Sequence, residues 1–296
     1  MVKLGLIYRS LLNEDFSVLQ VMEKLHSRRE YVPLNLLEKM SGFHEEKLVL
    51  ILSKLHSLGL IKGETISDEK MYRLTYTGYD MLALRSLVTR NVIEALGDKI
   101  GEGKESEIYE GLAPGGVHVA VKFLRLGRTS FRKTARVRDW ALRSSLSWYK
   151  QSVIAAEREY KALRELVVHR ALVPAPVGYS RHVVVTGYIR GVELYKKPDL
   201  SDPAEVLMNI LETLAIAYHK AQIVHGDLSE YNILVEHESE KPYIIDWPQY
   251  VYREDPRASE LLKRDVSYTV RFFKKNYKVD ITEDSALKLV LEYSSK

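Results

Sequence analysis

The sequence of 296 residues contains no cysteine, which excludes disulfide bonds and thiolate metal ligands. It also contains no run of 18 uncharged apolar residues, so we expect no membrane-spanning helix and no membrane partner. The first residues lack a long apolar stretch followed by a small-residue cleavage site, so we expect no secretory signal. These absences together favour a cytoplasmic protein. Hydrophobic residues make up 46% and charged residues 28%, a composition typical of globular and not of disordered proteins.

Neither sign of charge is strongly in excess, since the net charge is only +4. Basic residues nevertheless concentrate in residues 125–150, where Asp139 is the single acid. Such a run is usually a solvated or mobile segment, and contact with the phosphates of a nucleic acid or of a phosphorylated partner is the alternative. The basic residues of this segment are Arg125, Arg128, Arg132, Lys133, Arg136, Arg138, Arg143 and Lys150.

The first third of the sequence shows the order helix, helix, helix, hairpin, helix. Apolar residues recur at helical spacing in the first two segments, around Leu19 and Leu37. The third predicted helix runs from His44 to Leu58 and ends before a glycine. Two short extended runs around a polar turn follow, and the last predicted helix runs from Tyr79 to Arg90. Three helices with a two-stranded wing are typical of a winged helix-turn-helix, which we place at residues 1–91.

The third helix of this fold is the one that usually enters a DNA major groove. Here it begins with Glu45 and Glu46, and its basic residues are sparse (Lys47 and Lys54). This composition favours docking to a protein, or to RNA without sequence specificity, over the reading of a DNA sequence. We therefore expect no specific DNA site.

The second predicted domain, residues 92–296, begins with strands and continues with helices. A strand, a glycine loop and another strand come first, and a helix is predicted at Val153–Leu166. Two strand-like stretches then precede a helix at Pro203–Gln222, whose apolar residues lie along one face. Strands followed by helices fit a two-lobed α+β domain.

The segment HGDLSEYNILV, residues 225–235, carries the strongest chemical signal. A loop that presents Asp227 and then Asn232 before an apolar strand places both side chains at one cleft. Phosphoryl transfer needs such a pair, the first to orient or deprotonate the acceptor hydroxyl and the second to hold a metal ion. Asp246 ends the later apolar run YII, where a buried carboxylate needs a cation such as Mg²⁺ bound to phosphates. The alternative for Asp246 is a strand-end residue that caps a turn.

Upstream, the segment GEGKESEIYEG, residues 101–111, lies between two strand-like stretches. Its glycines, Gly101 and Gly103, let backbone N–H groups approach phosphate oxygens. Lys104 and Ser106 add a charge and a hydroxyl beside them. This segment predicts a loop that covers the phosphates of a nucleotide.

Lys122 lies in the alternating strand HVAVKFL, where a lysine that pairs with phosphates is expected. An inward lysine needs an anionic partner, and Glu159 on the next predicted helix is our choice because it lies near the packed face. Glu157 is the competitor, since helical phase does not separate the two. The order of glycine loop, lysine, glutamate and the Asp, Asn and Asp set predicts a kinase-type site.

At these motifs the sequence resembles the RIO family of atypical protein kinases, specifically the subfamily with an N-terminal winged helix. The resemblance rests on GEGKESEIYEG, HGDLSEYNILV, ELLKRDVSYTVRFFKKNY, and IIDWPQYV where ordinary kinases have Asp-Phe-Gly. It covers nearly the whole chain. It implies an α+β protein in which a winged helix-turn-helix is followed by a shortened two-lobed protein-kinase-like domain.

The resemblance implies a serine/threonine protein kinase or ATPase that uses ATP with Mg²⁺, or with Mn²⁺ in its place. Asp227 would be the catalytic Asp, Asn232 and Asp246 would hold the metal, and Asp246 would itself be open to phosphorylation. The backbone of Gly187 and Ile189 would receive the adenine. The residues implied at the triphosphate are Gly101, Gly103, Lys104, Glu105, Ser106, Lys122 and Glu159.

Ordinary protein kinases carry an Ala-Pro-Glu motif after the metal-binding Asp, and this sequence has none in the 50 residues after Asp246. The part of the lobe that binds peptides is therefore expected to be mostly absent. The family resemblance implies a switch in maturation of the small ribosomal subunit. Its partners would be a pre-ribosomal particle or rRNA, bound through the winged helix and residues 125–150. Candidate autophosphorylation sites there are Thr129, Ser130, Thr134, Ser144, Ser145 and Ser147.

Two other functions are compatible with the motifs. A small-molecule kinase of the aminoglycoside or choline type also uses His-Gly-Asp, but it builds its substrate pocket from a large helical insertion for which this sequence has no room after residue 250. A non-catalytic winged-helix protein that only senses nucleotide is the second alternative, although all catalytic side chains are present.

Overall fold

The computed structural model describes residues 4–26, 29–126 and 148–293. The chain divides into two compact units, the first formed by residues 1–101 and 109–117 and the second by residues 102–108 and 118–296. The domain boundary that we place after residue 91 stays a prediction. Among the described helices, none has the length and apolar character that a membrane span requires.

The first unit is built mainly from helices and a small antiparallel sheet with strand order β1-β3-β2. Its helices are α1 (Leu4–Ser10), α2 (Asn13–His26), α3 (Leu34–Ser41), α4 (Glu45–Ser57) and α5 (Tyr76–Thr89). Its sheet consists of β1 (Val32–Pro33), β2 (Ile61–Ile66) and β3 (Glu69–Leu74). The predicted winged helix-turn-helix is confirmed, and α1 is an additional helix that the sequence pattern did not indicate.

Turn and cap residues explain the ends of these elements. In the wing, Ile66 and Glu69 are paired across the hairpin. The two residues between them, Ser67 and Asp68, have φ angles of 50° and 64°, as a tight two-residue hairpin turn requires. Thr75 caps α5 by accepting a hydrogen bond from the N–H of Gly78 at 3.2 Å, so this helix begins three residues before the predicted Tyr79.

Both lysines of α4 pair with acids of α2. Lys47 lies 2.5 Å from Glu14 and Lys54 lies 2.5 Å from Asp15. The side chain of Asp15 is only 3% exposed and also accepts the N–H of Leu12. The lysines of α4 therefore hold the helices of this unit together.

Two long strands, β4 (Ala95–Glu102) and β5 (Ser106–Ala113), have residues in both units. Apart from Val117, which belongs to the first unit, the strands of the second unit are β6 (Val117–Leu124), β7 (Pro176–Ser180), β8 (Val183–Gly187), β9 (Gly191–Glu193), β10 (Ile223–Val224), β11 (Ile233–Glu236), β12 (Pro242–Ile244) and β13 (Val251–Tyr252). Its helices are α6 (Trp148–Val168), α7 (Pro203–His219), α8 (Ala258–Tyr277) and α9 (Glu283–Leu291).

Three sheets contain these strands. The largest has the order β4-β5-β6-β8-β7, and the two smaller ones are β12-β11-β9 and β10-β13. The main apolar core of the second unit lies around α7 and α8, where Leu207 and Ile210 of α7 and Phe273 of α8 are buried. This order of strands and helices confirms the predicted α+β fold.

Helix α7 ends at His219, before the predicted Gln222. Asp202 caps its beginning by accepting the N–H of Glu205 at 2.9 Å, and Pro203 occupies the first turn. Its end was predicted wrongly because Gln222 adopts a φ of 56°, which is incompatible with a continuing helix. The chain turns there and enters β10.

Candidate active site

Lys122 binds two carboxylates. It lies in β6 opposite Val184 of β8, and its neighbours Val121 and Phe123 are buried on the other face of the strand. Its Nζ donates to Glu159 Oε1 at 2.8 Å and to Oε2 at 3.0 Å, and to Asp246 Oδ1 at 2.7 Å.

Glu159, and not Glu157, is the partner of Lys122 in the structure. The side chain of Glu159 is 5% exposed, whereas Glu157 points to the surface and pairs with Lys161 at 2.6 Å. The two glutamates are two positions apart on α6, which puts them on different sides of the helix.

The charge of Lys122 is stabilised by its neighbours. Burial by itself lowers the pKa of this lysine, but the carboxylates of Asp246 and Glu159 outweigh that effect and raise the pKa above its ordinary value. Lys122 is therefore a fixed positive charge at neutral pH.

The predicted catalytic loop, residues 225–232, presents Asp227 and Asn232 on one short segment. The Asn232 side-chain amide donates to the carbonyl oxygen of Asp227 at 2.9 Å. The backbone N–H of Asn232 donates to Ser229 in a 3₁₀ turn, and its carbonyl accepts the N–H of Ile245. Asn232 is thus tied both to Asp227 and to the residue that precedes Asp246, and its side-chain oxygen faces away from the donated bond.

His225 fixes the beginning of this loop. Its Nδ1 accepts the backbone N–H of Asp227 at 3.2 Å, so the proton resides on Nε2, which donates to the carbonyl of Ile245 at 3.0 Å. The ring packs against Trp247 with the centroids 4.6 Å apart. The loop before Asp227 and the chain around Asp246 are therefore joined through one buried imidazole.

Asp265 of α8 holds the backbone on both sides of Asp227. One of its oxygens accepts the N–H of Gly226 at 2.8 Å and the other accepts the N–H of Leu228 at 3.2 Å. Its neighbour Arg264 donates to the carbonyl of Gly226. The side chain of Asp265 is fully buried, so its role is to position the loop and not to contact substrate.

The environment of Asp227 favours its protonated form more than water does. Partial burial raises the pKa of this carboxyl, the nearby Asp246 and Asp265 raise it further, and His225 and Arg264 act in the opposite direction. A carboxylate with a raised pKa accepts a proton more readily, which is the property that a general base needs.

Asp246 has a backbone conformation that few residues adopt. Its φ is 66°, in the left-handed region, which aspartate tolerates better than most residues. The next residue, Trp247, is buried, and its indole N–H donates to the carbonyl of Ile244 at 3.0 Å. Such a conformation persists only where the surrounding contacts fix it, and it is common at functional sites.

The donor set at Asp246 and Asn232 fits Mg²⁺. Both offer side-chain oxygens, and Mg²⁺ in nucleotide sites typically takes one or two protein oxygens and completes its shell with phosphates and water. Within residues 4–26, 29–126 and 148–293, no three His, Asp or Glu side chains form a cluster that could hold a metal by themselves. These residues therefore fit a metal ion that binds together with a nucleotide.

The predicted phosphate loop is a tight turn between strands. Gly103 donates its N–H to the carbonyl of Ser106 at 2.9 Å, and Lys104 between them is exposed. The backbone carbonyl of Glu105 accepts the backbone N–H of Arg125 at 2.6 Å, which ties the loop to the end of β6. Gly101 lies in β4 and belongs to the first unit.

Arg125 contradicts the prediction that residues 125–150 form a solvated or mobile basic segment. Its side chain is buried, lies 3.2 Å from Glu107 and contacts His182 at 3.0 Å, so it belongs to the interior and not to a solvated basic surface. Lys150 is exposed at the start of α6. The other basic residues of the segment and its six candidate phosphorylation sites lie outside the described residues.

The predicted adenine hinge begins at the last residue of β8. The N–H of Gly187 donates to the carbonyl of Ala175 at 2.8 Å, and the N–H of Tyr188 donates to His118 at 3.2 Å. A contact between Gly187 and a base must therefore use its carbonyl oxygen. Ile189 is the next hinge residue and is half-buried.

Comparison with known protein families matches the model of the RIO domain to residues 107–286 and that of the Rio2 N-terminal domain to residues 8–90. The chain belongs to the RIO family. The RIO domain match includes Lys122, Glu159, Asp227, Asn232 and Asp246, whereas the glycine-rich turn lies just before it.

Relatives and solved structures place this RIO chain in the Rio2 branch. It is 36% identical to the RIO-type serine/threonine-protein kinase Rio2 of Methanocaldococcus jannaschii, over 90% of this chain and 98% of that protein. It is 36% identical to the serine/threonine-protein kinase RIO2 of Caenorhabditis elegans, over 91% of this chain, but spans only about half of that relative (51%). A crystal structure of the Rio2 kinase-ADP/Mg²⁺-phosphoaspartate complex from Chaetomium thermophilum matches with a TM-score of 0.81 and 30% identity, over 97% of this chain and 92% of that one.

Proposed function

We propose that this chain is an ATP-dependent atypical serine/threonine protein kinase that can also act as an ATPase. The observation that carries the proposal is the position of Lys122 between Glu159 and Asp246. The loop that holds Asp227 and Asn232 is tied to the same segment through Ile245. These are the charges that phosphoryl transfer from ATP requires.

Each residue has a distinct task in that reaction. Asp227 accepts the proton of the attacking hydroxyl, or of water in the ATPase reaction, and its raised pKa suits this task. The positive charge of Lys122 attracts the phosphates, and Glu159 holds the lysine side chain in place. Lys104 and Ser106, at the glycine-rich turn, cover the triphosphate.

Mg²⁺, or Mn²⁺ in its place, neutralises the charge of the phosphates when it is bound with ATP. Asp246 and Asn232 would hold it through their side-chain oxygens. The related structure contains ADP, Mg²⁺ and a phosphoaspartate, which supports the same ligands here and an aspartyl phosphate at Asp246. Adenine would be received by the backbone of Gly187 and Ile189.

The partner that we propose is a pre-ribosomal particle or its rRNA in the cytoplasm. Family membership and the concentration of basic residues in 125–150 support this proposal. Because the lysines of α4 pair with α2, contact by the winged helix would rely on exposed lysines of the wing, Lys62 and Lys70. Salt-dependent binding to ribosomal RNA, measured with and without these lysines, tests this part.

The proposed chemistry is tested with γ-labelled ATP and Mg²⁺, using the wild-type protein and the variants Asp227→Ala and Asp246→Ala. Asp280→Ala is the matched control, because Asp280 is exposed near the end of the chain. We expect label on the protein or as free phosphate for wild type and control, and its loss in both site variants. Label that is removed by hydroxylamine would be an aspartyl phosphate, and stable label would be on serine or threonine.

The alternatives predict other results. Phosphorylation of an amino alcohol or aminoglycoside, with no label on protein or water, would favour a small-molecule kinase. ATP binding without transfer or hydrolysis, with either Mg²⁺ or Mn²⁺, would favour a nucleotide sensor and would refute the proposed activity.

A further inference from the structure

The guanidinium of Arg158 holds the chain that follows Asp246. Its Nε donates to the carbonyl of Pro248 at 2.9 Å, and its Nη2 donates to the carbonyl of Tyr250. The guanidinium carbon also lies 4.2 Å from the centroid of the Tyr250 ring. Two hydrogen bonds and one ring contact together fix the plane of the group.

Arg158 is adjacent in sequence to Glu159, and the two side chains are connected to Asp246 by different routes. Glu159 contacts Lys122, which in turn contacts Asp246. Arg158 contacts the backbone two and four residues after Asp246. Two adjacent residues of α6 are therefore connected by a closed series of contacts. It runs from Glu159 through Lys122 to Asp246, along the segment after Asp246, and back to Arg158.

The backbone of Asp246 needs such support. Its φ of 66° lies in the left-handed region, which is unfavourable for a residue with a side chain. The residue before it is fixed by the bond from Ile245 to Asn232. The residues after it are fixed by Arg158, so that the aspartate is held from both ends.

We propose that Arg158 is a positioning residue that orients Asp246 to bind the divalent metal ion of a bound nucleotide. The proposal rests on the proposed function, because it assumes that Asp246 is a metal ligand. Arg158 acts through the backbone of residues 248–250 and takes no part in the chemical step itself. Lysine is a poor replacement, since an ammonium group lacks the planar fork that donates to two carbonyls and stacks on a ring.

The test measures the dissociation constant of ADP by calorimetry, first without divalent metal and then with Mg²⁺. The ratio of the two constants is the Mg²⁺ gain. The proteins are the full-length wild type, Arg158→Gln, Arg158→Lys and the control Arg164→Gln, which makes the same charge change at an exposed position of α6. The melting temperature of each variant shows whether it is folded.

We expect Arg158→Gln to lower the Mg²⁺ gain roughly tenfold. Its affinity for metal-free ADP should stay within about twofold of wild type, because Lys122 is retained. Arg164→Gln should match wild type, and Arg158→Lys should lie between the two. A full Mg²⁺ gain in Arg158→Gln would overturn the proposal, as would an equal loss of affinity with and without Mg²⁺.

Two further outcomes also test the proposal. If Arg158→Gln does not fold, Arg158→Lys takes its place, and a wild-type Mg²⁺ gain in that variant overturns the proposal. If Mg²⁺ does not strengthen ADP binding to the wild type, the proposed function itself fails. That result differs from a failure of the proposal about Arg158. In that case Mg²⁺ strengthens ADP binding to the wild type and to the variant by the same factor.

Discussion

Asp265 lies 39 positions after Gly226 in sequence, yet its Oδ2 accepts the N–H of that glycine at 2.8 Å. The other oxygen accepts the N–H of Leu228 at 3.2 Å. The residue between these two amides is Asp227, so one buried carboxylate fixes the backbone on both sides of the proposed catalytic aspartate.

Replacing Asp265 by Asn should therefore impair both stability and turnover. Asparagine has one acceptor oxygen, and its NH₂ group would face a second N–H donor. We expect the free energy of unfolding to fall by about 1–3 kcal/mol. The maximal rate of ATP turnover should fall more than the affinity for ADP. Asp280→Asn is the exposed control, and wild-type stability and rate in Asp265→Asn would contradict this role.

Removing the charge of Lys122 should destabilise the second unit. Lys122→Met leaves the buried Glu159 facing Asp246 without a cation, which should lower the free energy of unfolding by about 3 kcal/mol. Glu159→Gln added to this variant should recover part of the loss, since it removes the unpaired charge. Chemical denaturation of the two single variants and the double variant measures this coupling. Equal stability of Lys122→Met and the double variant would show that the charges are not coupled.

On acidification, ATP turnover should be lost at a higher pH than it would be if Asp227 had the pKa of an ordinary aspartate. Asp227 must be deprotonated to take the proton of the attacking hydroxyl or water. Its pKa is raised by partial burial and by Asp246 and Asp265. Activity is therefore present above the raised pKa and is lost as the pH falls through it. The midpoint should lie above about 3.9, the usual value for aspartate. ADP affinity over the same pH range is the control, and a midpoint at or below the usual value would contradict the prediction.

In the winged helix, the two lysine pairs of α4 should contribute unequally. Lys54→Ala removes the partner of an aspartate that is 3% exposed, and should lower stability by about 1–3 kcal/mol. Lys47→Ala breaks a pair whose side chains are 50% and 45% exposed, and should cost less than about 1 kcal/mol. Thermal unfolding compares the two, and an equal effect would mean that burial of Asp15 does not matter.

The kinase motifs could be read from the sequence because their spacing is local. The predicted catalytic loop contains Asp227 and Asn232 within a few residues, and Lys122 lies in a strand with clear alternation. Glu159 was preferred over Glu157, as the structure has it, but helical phase could not separate the two, because the answer depends on how α6 is rotated against the sheet. That rotation is set by packing between distant segments and not by the pattern along one helix.

Asp265 and Arg158 were missed for a related reason. Each contacts the backbone of a distant segment, and such contacts leave no motif in the sequence. A signal for Asp265 was nevertheless present, since it lies among the apolar positions Leu262, Val266 and Phe273 of an amphipathic helix. A carboxylate at such a position needs buried donors. Arg125 was counted in a solvated or mobile basic segment by the same kind of local argument, and its burial against Glu107 shows that charge density alone does not locate a side chain.

The hydrogen bond from Gly187 to Ala175 has a consequence for the choice of purine. Because its N–H is already donated, this glycine can present only an acceptor to a base. The 6-amino group of adenine donates to such an oxygen, whereas the 6-oxo group of guanine would be repelled by it. We therefore expect the proposed hinge, through this bond internal to the protein, to favour ATP over GTP.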